Sequence, residues 1–135
     1  MKKKVFYKEV DHTADMSIEV CGNSLLEIFN HAADGMYALA GVQINKDKVI
    51  VQEIKIDAAD KEALLVDFLS ELLFRLQKNE VFINNQINIH ELKLSGFLNG
   101  YGLETMQREI KAVTYHQMNI IEQDGKFHTR IVFDI

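Results

Sequence analysis

Between Lys61 and Lys78 the chain reads KEALLVDFLSELLFRLQK, and Leu65, Phe68, Leu69, Leu72, Leu73 and Leu76 recur there at helical spacing. An apolar face this broad exceeds a narrow helix–helix seam and calls for a sheet to lie on. It could also seat a partner helix, but burial in the chain's own core is the simpler use. Asp57 or Asp60 can cap its start. An earlier stretch, NSLLEIFNHAADGMYALAG, carries a second stripe through Leu25, Phe29, Ala32, Met36 and Leu39, widened by Ile28 and Ala33. Ser24 and Glu27 have capping-box spacing, with Asn23 an alternative cap, and Gly41 is a natural stop.

The rest of the chain alternates with the period of strands. Residues 4 to 9 form a first candidate. In MSIEVCG, Met16, Ile18 and Val20 alternate with Ser17, Glu19 and Cys21, and residues 48 to 57 follow the same rule. Two strands are expected around residues 81 to 98, then a hairpin turning at Asp124–Gly125. With no proline anywhere, glycine, asparagine and aspartate must make the turns. Two helices on an antiparallel or mixed sheet define an α+β fold, and 135 residues without linker or repeat make one compact domain, 1–135.

Charge narrows the function. A net charge of −5 disfavours nonspecific binding to a phosphate backbone, and the Lys2–Lys4 run is too short to reverse it. No apolar run reaches the roughly 20 residues of a membrane span. Lys8, Glu9 and Asp11 interrupt any signal-peptide apolar region, so a cytoplasmic location is expected. The single cysteine, Cys21, excludes an intrachain disulfide or a cysteine-based zinc cluster, and by residue type it reads as a small buried hydrophobe.

The chemically suggestive residues stand near the two ends. In DHTAD, Asp11 and Asp15 would lie about 13 Å apart if extended, too far to share a cation whose ligands sit at about 2.3 to 2.6 Å. Only a bent segment brings them together; otherwise Asp11 caps a turn and Asp15 is simply exposed. At the other end, RIVFDI closes with Asp134 beside the Ile135 α-carboxylate. Phe127, Thr129, Ile131, Phe133 and Ile135 share one strand face, which would hold that terminal charge in place. Were the two ends to meet, their carboxylates would suit calcium or magnesium better than a soft metal.

These stretches also resemble the archease family, almost end to end. DHTAD followed by a strand and glycine, the leucine-rich ALLVDFLSELL, KAVTYH at residues 111 to 116 and the closing FDI match in type and order. The family's Gly-Glu pair appears only loosely, as Gly102-Leu103-Glu104. The resemblance implies a non-catalytic accessory factor of the GTP-dependent RNA ligase that joins tRNA halves. Such a factor promotes guanylylation of the ligase and restores it for further turnovers. It also implies a calcium ion held by Asp15, Asp134 and terminal Ile135, with Asp11 supporting. GTP would be used by the ligase rather than bound here, and RNA would be met through the ligase.

Lys111 has two open readings: contact with a ligase, a phosphate or an acidic neighbour, and a solvated strand lysine. His116 is read as a packed strand histidine or a functional one. The rival function is a small hydrolase using the acidic cluster with a divalent ion, for which no nucleophile or glycine-rich phosphate loop stands out.

Overall fold

The structure is a computed structural model that describes residues 6–11, 15–115 and 118–135, with backbone alone for residues 9–11. Helix α1 runs Leu25–Ala40 and α2 Lys61–Gln77. Among the described residues the strands divide into two antiparallel sheets. The first contains β1 (Tyr7–Asp11), β2 (Asp15–Gly22), β7 (Ala112–Thr114), β8 (Ile121–Gln123) and β9 (Lys126–Asp134), in the order β1-β2-β9-β7 with β8 also on β9. The second orders β3 (Gln43–Asp57), β6 (Lys93–Thr105) and β4 (Glu80–Phe82), with β5 (Gln86–His90) also on β6.

The helix boundaries follow from their caps. Ser24 rather than Asn23 caps α1: its Oγ accepts the Glu27 N–H at 3.1 Å, while Glu27 Oε1 accepts the Asn23 N–H at 3.3 Å. Gly41 ends α1 in the left-handed region at φ 65°, the conformation that favours glycine. Asp60 rather than Asp57 caps α2, its Oδ1 accepting the Ala63 N–H at 2.7 Å. The broad stripe of α2 is buried in the chain's own core, from Leu64 to Leu76, and Phe29 meets Phe68 with ring centroids 5.6 Å apart.

The strand expectations hold in kind and shift in detail. Asp124 and Gly125 both take positive φ, 54° and 76°, which is the primed turn that an Asp-Gly pair favours between paired strands. The first strand, expected over 4–9, is described as Tyr7–Asp11, with residues 4 and 5 outside the described residues. The region 81–98 divides into more strands than expected, because Asn84–Asn85 and Glu91–Leu92 each break the alternation. The strand read through 110–120 splits into β7 and β8. Ile110, Val113 and Ile120 are all buried, a spacing that no single strand face allows.

Tyr37 anchors α1 to β4: its hydroxyl accepts the Phe82 N–H at 3.1 Å, and burial holds the phenol well above its usual pKa. Replacing it in Tyr37→Phe leaves that buried N–H unpaired and should cost about 1–3 kcal/mol, read by urea denaturation. The wild type should also lose stability above about pH 10. There the unfolded tyrosine ionises while the buried one stays protonated, so the raised native pKa favours the unfolded chain as pH climbs.

Candidate metal centre

β2 and β9 pair along their whole lengths, so residues more than a hundred positions apart become cross-strand neighbours. Their register sets Asp15 directly opposite Asp134. On the other side of β9, Ala112 is the direct partner of Asp134, and the Lys111 N–H donates to the Asp134 carbonyl at 2.7 Å. Asp15 and Asp134, distant in sequence, thus meet across the two strands. Direct antiparallel partners place their Cβ atoms about 4.5–5.5 Å apart on one face, close enough for two carboxylates to reach a common cation. Without a cation, like charges directly opposite repel and cost about 0.2–1 kcal/mol.

Asp15 is half-buried and Asp134 exposed, while the Ile135 side chain packs against the core and fixes the position of the chain's last residue. Among the described residues no three His, Cys, Asp or Glu side chains gather at one point. What the structure gathers is Asp15, Asp134 and the main chain of Ile135. That donor set is all oxygen, the ligand chemistry that hard cations such as calcium or magnesium take. Asp11 belongs to β1, where its register partner is Met16 and not Asp15; its side chain lies outside the described residues. His12 and His116 also lie outside them. The bend expected within DHTAD falls on residues 12–14, which lie outside the described residues.

Two residues in the neighbourhood escaped the sequence reading. The Tyr115 hydroxyl, from KAVTYH, donates to Asp67 Oδ1 at 3.4 Å, joining that segment to α2. Asp67 is the one charge inside ALLVDFL, and a lone carboxylate in an apolar helical run was the available signal. Lys111 is exposed, and Glu104 is placed on β6 in the other sheet. Cys21, expected to be buried, is exposed. The alternation that buries Ile18 and Val20 turns Cys21 outward with Glu19, and strand period overrides the average preference of the residue type.

Taken as a class, this is a small α+β protein in which two acidic strand ends, distant in sequence, pair side by side. The archease protein family matches it over residues 7–135. Protein archease of Methanosarcina barkeri is 31% identical over 142 residues, covering 96% of this chain and 95% of that one. Protein archease of Pyrococcus abyssi is 33% identical, covering 96% and 98%. The crystal structure of an archease, possible chaperone, from Thermotoga maritima superposes with TM-score 0.74 over 100% of this chain and 98% of that one, at 22% identity. The solution structure of Methanobacterium thermoautotrophicum protein 1598 gives TM-score 0.71 at 28% identity, covering 98% and 100%. The chain belongs to the archease family.

Proposed function

We propose that this chain is a non-catalytic accessory factor of a GTP-dependent RNA ligase in tRNA splicing and RNA repair, acting in the cytoplasm. It promotes guanylylation of the ligase and its multiple turnover. The observation that carries the reading is the pairing of two distant acidic stretches: Asp15 stands opposite Asp134, the Lys111 main chain bonds to Asp134, and Tyr115 bonds to Asp67 on α2. Asp15, Asp134 and the Ile135 α-carboxylate would hold calcium, with Asp11 in support. The ion would supply positive charge that neutralises the facing carboxylates. Lys111 stands beside this end, exposed to a partner. The net charge of −5 supports meeting RNA through the ligase rather than directly. No described helix is long and apolar enough to cross a membrane.

The test is RNA ligation with the cognate ligase well below the RNA concentration. Ligation should stop near one equivalent of ligase without this chain and continue for many turnovers with it. Unchanged ligation in both arms refutes the proposal. Hydrolysis of nucleotide or RNA by the chain alone would favour the metal-dependent hydrolase instead.

A further inference from the structure

We propose that the outer face of the first sheet carries a second site, a cleft that binds a small planar aromatic anion such as an aryl monophosphate. The proposal rests on the geometry of this cleft and is independent of the ligase reading. The cleft has a volume of about 490 Å³, within the range of small-ligand pockets.

Strand register builds it in two rows. Lys8 pairs with Glu19, which pairs with Arg130, so one row across β1, β2 and β9 reads cation, carboxylate, cation. The next row begins at Phe6, whose carbonyl accepts the Cys21 N–H at 3.3 Å. It then passes through Cys21 and His128 to Ile121 on β8. Direct partners share a face, as do residues two apart, so both rows point into the same cleft. Neighbouring strands lie about 4.8 Å apart, which makes the second row about 14 Å long and able to take one or two fused rings laid flat.

Its chemistry selects the ligand. Phe6 is held by stacking on His31, with ring centroids 4.4 Å apart and planes 9° apart, and forms one apolar wall. Ile121, 41% exposed, forms the wall at the far end. Arg130 donates from Nε to Ser17 Oγ at 3.2 Å, which fixes its guanidinium at the edge of the cleft. Among the described residues that line the cleft, Lys8 and Arg130 are cations and Glu19 is the carboxylate, in a chain whose net charge is −5. An aromatic ring therefore finds apolar walls and its acid group finds Lys8 and Arg130. Neutral rings gain only the walls, and bare phosphate gains only the charges.

Cys21 lies on the floor of this cleft and is the chain's one cysteine, so its alkylation reports on the site. The rate ratio of iodoacetate to iodoacetamide should be at least about threefold higher for the folded protein than for the urea-unfolded chain. It should fall back toward the unfolded value in Lys8→Gln. Lys8 is exposed, so the variant should keep the wild-type circular dichroism spectrum. With iodoacetamide as probe, 2-naphthyl phosphate should slow alkylation with half-protection below about 10 mM, while 2-naphthol and inorganic phosphate protect much less. A folded-state ratio at or below the unfolded one overturns the proposal. So does absent protection by 2-naphthyl phosphate, or protection by 2-naphthol that is equally strong.

Discussion

Asp134→Asn should lose calcium binding and yet melt no lower than the wild type in the presence of a chelator. The two halves of this result have one origin. Asp134 and Asp15 are direct cross-strand partners at the ends of β9 and β2, so their carboxylates repel whenever no cation stands between them. Asparagine keeps the size of the side chain and removes one of the two charges. Ion-free stability should therefore be unchanged or rise by up to about 1 kcal/mol. Calcium reverses the comparison. At a concentration 100 times its dissociation constant the ion should stabilise the wild type by about 2.7 kcal/mol, which for a domain of this size is about 10 °C in melting temperature. The variant loses a charged oxygen ligand, so its affinity should fall at least about tenfold and most of that thermal gain with it. Asp15→Asn should behave alike. Calorimetric titration together with melting in calcium and in chelator reads both halves. Wild-type calcium affinity retained in both variants excludes the shared site. A variant that melts far lower even in chelator would mean that Asp134 is a structural residue.

The fold was legible wherever the signal is local. Helix α2 announced itself through the Leu65-to-Leu76 stripe, and the Asp124–Gly125 turn through two residue types that tolerate positive φ. Where the signal is tertiary it was not. Nothing in the order of residues states that β9 pairs with β2, and only that pairing brings two distant acidic stretches side by side. The same limit hid the Tyr115–Asp67 hydrogen bond, which spans 48 positions. The splitting of the 110–120 region shows a different cause. Its apolar residues suit a strand by type, but the Ile120 N–H goes to Glu62 Oε2 on α2 at 2.9 Å, and the Thr129 hydroxyl donates to the Asn119 carbonyl at 3.1 Å. Hydrogen bonds to a helix and a side chain thus occupy groups that a continuous ladder would have used. Cys21 was misjudged from information already present, since its own alternation with Val20 and Glu19 placed it outward.

Adding a few glycines after Ile135 should weaken calcium binding at least about tenfold while leaving the fold in place, whereas a comparable extension before Met1 should change neither binding nor fold. The extension replaces an α-carboxylate with a neutral amide, so the donor set keeps its oxygen but loses a negative charge. Position makes the charge matter. Ile135 packs its side chain against the core, and Asp134 just before it is held between Asp15 on β2 and Ala112 on β7. The Lys111 N–H bond to the Asp134 carbonyl, 2.7 Å long, fastens the main chain one residue before the end. If Ile135 ends the chain, this anchoring would oppose the fraying common at termini. Because the side chain of Ile135 keeps its contacts in the extended chain, melting in chelator should match the wild type. Only the rise in melting temperature on adding calcium should shrink. The ligase assay should follow the same order, with turnover falling in the C-terminally extended chain and preserved in the N-terminally extended one. Equal calcium affinity in the native and C-terminally extended chains would show that the aspartates hold the ion without Ile135.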